Sequence, residues 1–413
     1  MKTNRATLVA LLTRRHVAGP AWWSVLSRLP VYLMALAMVL VVREQGGSYP
    51  QAGLVSALYT VGMALGSPLI ARCVDRRGRR AMLMGTGVVY PAALTALVWT
   101  TEPGDWAQPA LALAAGMALP PANAFMRSLW ARLPLRDYER ETAYLWEALL
   151  TEILVIGAPL MLAALMLTGS AGIALTVVST LGGIGALGLA LTPLPEGANA
   201  TPGSGAGNHA PSSWLGPLRS TPMLTLTSTM ALCAVPIGLM TLAIPAFVDE
   251  HGSRGSTGVV YACWGVGSAL GALWLGRSQS QVAAHRRFPR LVLAYAAGTG
   301  LPLLAVSPLT LGLALAVGSV PIALVSACEM SLVATVADDR SLTEAFTWAS
   351  LATVAGDAVG LQAGGLLMDQ FGPRGVFAAA FGIALLTALV AFACRGVLSR
   401  HTSTTVPEPS DSC

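Results

Sequence analysis

Charge is what this chain has least of: 11% of its residues are Asp, Glu, Lys or Arg, where soluble domains carry roughly 25%. Lysine is almost missing, Lys2 being the only one. With 54% hydrophobic residues and a mean hydropathy of +0.64, this scarcity excludes a soluble globule. The six cysteines, Cys73, Cys233, Cys263, Cys328, Cys394 and Cys413, include no CxxC pair, so neither a disulfide framework nor a zinc site is readable. The five histidines are scattered over tails and loops, and no GxxxxGK[ST] loop occurs. A catalytic constellation is therefore missing, and the expectation is a protein that is not an enzyme and needs no cofactor. The first 20 residues hold one short apolar patch, Ala6 to Leu12, followed by Arg14-Arg15. That is a basic tail rather than a cleaved signal peptide.

What the chain does have is uncharged apolar runs of about 20 residues, each long enough for a ~30 Å hydrocarbon core. They are too long and too uniformly apolar for barrel strands, so the expected class is an all-α membrane protein. Twelve spans are predicted: 21–42, 50–71, 81–100, 107–128, 142–167, 172–191, 222–247, 256–276, 289–306, 308–333, 343–368 and 375–395. The stretch 192–220, rich in Pro, Gly, Ser, Asn and Ala, reads as a flexible cytoplasmic linker. It separates an N-terminal six-helix bundle (1–191) from a C-terminal one (221–413) that ends in a short cytoplasmic tail. Trp22-Trp23, Trp99 and Trp106 fall at predicted span ends, where amphipathic rings prefer to sit.

The basic residues orient the chain. Of the 25 lysines and arginines, only Arg43, Arg254 and Arg374 lie in odd-numbered loops, and Arg28 lies inside the first span. The rest fall in even-numbered loops and tails, which places both termini in the cytoplasm. The net charge of +5 and pI of about 9.0 are thereby topology signals, and no nucleic-acid partner is implied. A bias to Ala, Gly, Leu and Arg suggests a bacterial gene, hence a cytoplasmic (inner) membrane location, with the lipid bilayer and a small solute as partners and a monomeric carrier.

The halves repeat each other. Gly53, Val55, Ala57, Val61, Gly62, Ala64, Leu65, Gly66 and Arg72 recur as Gly258, Val260, Ala262, Val266, Gly267, Ala269, Leu270, Gly271 and Arg277. Ala143-Tyr144-Leu145-Trp146 in span 5 is likewise echoed by Ala345-Phe346-Thr347-Trp348 in span 11. This is the pattern of two pseudo-symmetric bundles duplicated in the same orientation. Small residues at four-residue spacing, as in Gly62/Gly66, Gly267/Gly271 and Gly356/Gly360/Gly364, let helix backbones approach closely.

Twelve spans in two parallel repeats, with Asp75-Arg76-Arg77-Gly78-Arg79-Arg80 after span 2, resemble the major facilitator superfamily. Its signature loop at that place is G-x-x-x-D-R-x-G-R-R. Asp75, Arg76, Gly78, Arg79 and Arg80 match it, while Ala71 stands at the first glycine. The resemblance implies an alternating-access carrier whose central site is formed mainly by spans 1, 4, 7 and 10. Two further family elements are reduced here. The antiporter signature of span 5 keeps only Gly157-Ala158-Pro159-Leu160, and span 4 reads Pro120-Pro121-Ala122-Asn123 where many proton-driven exporters carry Arg-Gln-Gly.

Within this frame Gly78 allows a sharp turn, and Arg76, Arg79 and Arg80 meet anionic headgroups. Asp75 and the acidic loop Asp338-Asp339 form a candidate inter-half gating latch. Ser341-Leu342-Thr343-Glu344 reads as a capping box that marks the start of span 11; solvated charge is the plain alternative. Ionisable groups inside spans cost roughly 2.5–3.5 kcal/mol each on insertion scales. Arg28, Glu147, Glu152, Glu329 and Asp357 qualify. Counting ~1.5 Å per residue, Arg28 and Glu152 reach depths that allow a pair. Glu152, Asp357 and Arg28 are the proton-coupling candidates, with a fixed ion pair as the alternative. Glu147 and Glu329, nearer the cytoplasmic ends, are expected to snorkel. Candidate cavity residues are Tyr32, Met34 and Met38 on span 1, Asn123 on span 4, and Met230, Cys233 and Met240 on span 7, although Met at helical spacing equally serves packing.

The expected function is proton-gradient-driven export of small amphipathic molecules such as antibiotics. Transport of a sugar or other metabolite is the alternative, and a non-transporting sensor the second.

Overall fold

A computed structural model describes residues 15–132, 137–192, 220–251, 256–277, 284–337 and 342–400. The described residues are almost entirely helical, and the chain separates into two compact units. One comprises Met1–Asn208 with Arg254–Ala262; the other comprises His209–Ser253 with Cys263–Cys413. Among the described residues seven helices are long and apolar enough to cross a membrane, or eight when one bent pair is counted as a single span. One of the seven, Glu344–Ala393, runs for 50 residues, about 75 Å at helical rise, more than twice a hydrocarbon core. Leu167, Leu191, Leu304 and Leu309 are more than 60% exposed. An apolar surface of that kind suits a helix bundle facing lipid.

In the first unit, α1 (Arg15–Arg28) passes through a 3-10 turn (Leu29–Tyr32) into α2 (Met34–Glu44), and the two arms meet at 52°. Pro30 sits at the start of the turn and lacks the N–H that would continue the α-helical ladder. Next come α3 (Tyr49–Arg77), α4 (Arg79–Thr100), α5 (Ala107–Met117), α6 (Ala122–Arg132), α7 (Asp137–Thr168) and α8 (Ala171–Leu191). Pro120-Pro121 separates α5 from α6, so the fourth predicted span is a broken helix. The start of α8 is closed by Glu44, whose carboxylate accepts the Ala171 N–H at 2.6 Å, and a carboxylate there also meets the positive end of the helix dipole.

In the second unit, α9 (Thr221–Glu250), α10 (Thr257–Arg277, of which Cys263 onward belongs to this unit) and α11 (Ala284–Gly300) lead through a 3-10 turn (Leu301–Leu304) to α12 (Pro308–Gly318) and α13 (Val320–Val336). Then come α14 (Leu342–Ala393) and α15 (Arg395–Arg400). The long α14 is two helices joined at Gly372, whose φ of 63° and ψ of −174° are non-helical. The expected spans 11 and 12 are its two arms.

The repeated glycines do the same thing in each unit. A Cβ on Gly62 would lie 2.3 Å from the Leu113 carbonyl oxygen, and one on Gly66 2.4 Å from that of Met117. So α3 and α5 touch backbone to backbone. In the second unit a Cβ on Gly267 would meet the Ala316 oxygen at 2.1 Å, and one on Gly271 the Val320 oxygen at 2.0 Å. The sequence repeat is thus a packing repeat.

Trp22 is 66% exposed, and so are Trp99 and Trp106, at 60% and 83%, as interfacial rings should be. Trp23 departs from that expectation: a Cβ on Gly188 would strike its ring at 2.2 Å, so it packs α1 against α8.

Gly78 joins α3 to α4 with φ 81° and ψ 153°, a region open essentially to glycine alone. A Cβ there would touch nothing within 4 Å, so only backbone strain opposes a side chain. Gly78→Ala is expected to cost about 1–3 kcal/mol, read as a lower Tm of the detergent-purified protein. Gly85→Ala is the control, since Gly85 is helical and equally uncrowded; its Tm should hold or rise.

Candidate functional site

Each unit holds carboxylates within its helices, and the two units treat them differently. In the first, α1 ends at Arg28, whose side chain is 1% exposed and whose Nη1 lies 2.5 Å from Glu147 Oε2 on α7. The other Glu147 oxygen accepts the indole N–H of Trp130 at 2.8 Å, and Trp130 on α6 is fully buried. Three helices are thereby tied to one neutralised charge. The Arg28 Nε and Nη2 and the Ser27 hydroxyl have no partner among the described residues.

Two expectations change here. The described partner of Arg28 is Glu147, and the side chain of Glu152 lies outside the described residues. Glu147 does not snorkel, because both its oxygens are engaged inside the unit. The start of α7 at Asp137 rather than 142 accounts for the shift: Glu147 stands where Glu152 was expected along that helix.

In the second unit Glu329 lies on α13, 5% exposed. It packs among Val325, Cys328, Leu332 and Val333 of an apolar cluster to which Met230, Cys233 and Tyr295 also belong. The Cys233 thiol sits beside its carboxylate, while Oε1 has no hydrogen-bond partner among the described residues. The Tyr295 hydroxyl donates to the Cys233 carbonyl at 3.1 Å, and its ring is within electrostatic range of Glu329 and Asp357. Asp357 is carried on α14 against α9, because Gly356 and Gly360 meet the carbonyls of Ala231 and Val235, where a Cβ would lie at 2.0 and 2.1 Å. Arg287 acts on the neighbouring Cys328. Among the described residues no cation pairs with Glu329 or Asp357. The expectation that Glu329 snorkels is corrected: α13 continues seven residues beyond it to Val336, and the apolar cluster closes over its carboxylate.

A narrow cleft lies on the same unit, walled by Pro236 and Met240 of α9, Trp264 of α10, Tyr295 and Thr299 of α11, and Leu315 and Ile322 further on. Its hydroxyls are already committed, Thr299 to the Ala296 carbonyl and Ser319 to that of Trp264. The wall presents apolar and aromatic surface.

Of the remaining predicted site residues, Met34, Met38, Met230, Cys233 and Met240 are all buried, and Tyr32 and Asn123 are half-buried. Met230 is a packing residue of the apolar cluster, whereas Met240 lines the cleft. Arg79 lays its guanidinium over the Phe125 ring, 4.7 Å from the centroid, and Arg80 is exposed. The side chains of Asp75 and Arg76, and residues Asp338, Asp339 and Ser341, lie outside the described residues.

Glu147 and Trp130 in the first centre, and Glu329, Tyr295 and Trp264 in the second, were not among the predicted site residues. Only the two acids had a sequence signal, as charges inside apolar runs.

The family model of the Major Facilitator Superfamily matches residues 23–341. The chain belongs to the major facilitator superfamily. As a member it is a multi-pass membrane transporter. No curated protein matches significantly, but solved structures share its fold. They include the nucleoside transporter NupG (13% identity, TM-score 0.72, 92% of this chain and 99% of that one). Another is the peptide transporter POT in complex with sulfate (13%, 0.72, 96% and 99%). A bacterial homolog of the human lysosomal transporter Spinster, inward-facing and unoccupied, is also similar (13%, 0.68, 94% and 99%). At these identities the likeness is one of fold.

Proposed function

We propose that this major facilitator protein is a proton-coupled secondary carrier. It works by alternating access between two six-helix bundles of twelve spans in all, in a bacterial cytoplasmic membrane, with both termini in the cytoplasm and as a monomer. The observation that carries this reading is Glu329: a carboxylate inside an apolar cluster, with an orphaned oxygen and no described counter-charge. An ionised acid there faces the full desolvation cost, so a proton must accompany it whenever water is shut out. A proton taken up in one state and released in the other is what coupling requires. Asp357, and Glu152 in the first unit, are further candidates for the same role. Arg28 is assigned instead to a fixed pair with Glu147.

The proposed cargo is a small amphipathic molecule and the proposed direction export. A metabolite as cargo is the second reading, favoured by fold neighbours that are a nucleoside and a peptide transporter.

The test is flux of a solute panel in proteoliposomes under an imposed pH gradient. Wild type should move at least one solute in proportion to the gradient, and Asp357→Asn should weaken that dependence while its yield stays normal. Flux that ignores the gradient for every solute defeats the proposal.

A further inference from the structure

The electrostatics of the second unit are one-sided. Cys233, Glu329, Tyr295 and Asp357 act on one another in its interior, all of them neutral or acidic. The buried Cys328 and the His285 Nδ1 lie by the start of α11, where the Cys328 thiol donates to the Ala284 carbonyl. The one nearby described cation acting on this region, Arg287, bears on Cys328. In the first unit the corresponding demand is met internally by Arg28. Among the described residues of the second unit Glu329 and Asp357 have no ion-pair partner, and a bound cation would supply the matching charge.

The neighbouring surface says what kind of cation fits. Tyr295 belongs to both places: its ring lines the cleft while its hydroxyl anchors to Cys233 beside Glu329. The rest of the cleft is Met240, Trp264 and aliphatic surface with its hydroxyls already bonded. Aromatic faces attract cations as well as apolar groups, and Met accommodates varied shapes. Along α13, Ile322 on the cleft wall and Glu329 are seven residues apart, about 10 Å of helix. In this conformation the cleft encloses only about 20 Å³, room for about one water molecule. The apolar end of a solute therefore enters as the carrier opens.

We infer that the second unit recognises an amphipathic organic cation, its ammonium against Glu329 and its apolar end in the cleft of Trp264, Met240 and Tyr295. This rests on the carrier reading above and names its substrate class. Coupling then follows from shared occupancy: Glu329 holds either a proton or the cation, so loading one expels the other.

The experiment uses the full chain in detergent and in liposomes. The probes are phenylhexyl-trimethylammonium, whose charge and ring are separated by a comparable length, and its neutral tert-butyl isostere. Equilibrium dialysis against protein-free micelles measures binding. Wild type should prefer the ammonium. Glu329→Gln should lose roughly tenfold to hundredfold in affinity for it and none for the isostere. Trp264→Ala should weaken both alike. A glutamine at the site preserves shape, and retained isostere binding reports that the variant is folded.

The inference is overturned if Glu329→Gln binds the ammonium as wild type does, or if wild type does not distinguish the two probes. Liposome flux separates the two readings. Gradient-driven movement of a neutral solute without ammonium binding keeps the carrier and removes the cation assignment. Ammonium binding that depends on Glu329, without gradient-driven flux of any solute, keeps the site and removes the coupling.

Discussion

Converting Gly271 to valine is expected to leave little folded carrier in the membrane. The cause is geometric. The first atom of any side chain there would stand 2.0 Å from the Val320 carbonyl oxygen, and four residues earlier Gly267 meets the Ala316 oxygen and the Ser319 hydroxyl at 2.1 Å. Two of these three obstacles are backbone, which has no rotamer to change, so α10 must move away from α12 and α13. In lipid, helix association rests largely on close van der Waals contact, because the surrounding tails are as apolar as the helices. Overpacking typically costs about 1–3 kcal/mol, occasionally more, and a rigid backbone obstacle puts this site at the upper end. Against a total stability of ~5–15 kcal/mol, Gly271→Ala should lower the Tm clearly and Gly271→Val should abolish a monodisperse chromatographic peak. Gly66→Val, facing the Met117 oxygen at 2.4 Å, should fail in the same way in the other unit. A normal peak and Tm for Gly271→Val would mean that the helices are not in contact there.

That parallel shows why some features could be read in advance. Gly62/Gly66 and Gly267/Gly271 are visible in sequence because backbone contact tolerates one residue type, and a duplicated contact writes the same letter twice. Gly78 was legible for a related reason: its backbone conformation is nearly closed to other residues. Pro120-Pro121 reads only as a departure from the exporter element, and the break it makes between α5 and α6 is not foreseen in the single span 107–128.

Depth and partnership were less legible. Arg28 was matched to Glu152 by counting along straight rods, but α7 starts at Asp137, five residues before the expected span. That earlier start moves the meeting point along α7 by the same five residues, and the described partner is Glu147. Glu329 was expected to reach water because the tenth span was ended at 333. In the structure α13 runs to Val336, and Leu332 and Val333 are completely buried. Whether an acid is paired or orphaned depends on which helices pack beside it, and periodicity in one segment carries no such information. Trp23 illustrates the same limit. Its place near a span end suggested the interface, while Gly188 on a helix more than 160 positions later takes its ring.

Arg28 and Glu147 give the second large expected effect, and it bears on how the carrier works. Arg28→Met would leave the Glu147 carboxylate inside the unit with, of its described partners, the Trp130 N–H alone, and Glu147→Gln would take from a guanidinium that is 1% exposed its one described counter-charge. Breaking a buried pair from either side costs about 3–5 kcal/mol, so both single variants should unfold at markedly lower temperature. The double variant Arg28→Met/Glu147→Gln removes both charges at once and keeps an oxygen for the indole N–H. It should recover most of the loss, and a thermodynamic cycle measures the coupling directly. Additive losses would show that the two side chains do not depend on one another. Flux through the folded double variant then separates two roles. A pair that only fixes α1, α6 and α7 together will leave gradient-driven transport near normal when replaced by neutral groups. If instead Glu147 exchanges its arginine for a proton during the cycle, the double variant will be stable and uncoupled, and the working acid will lie in the first unit rather than at Glu329.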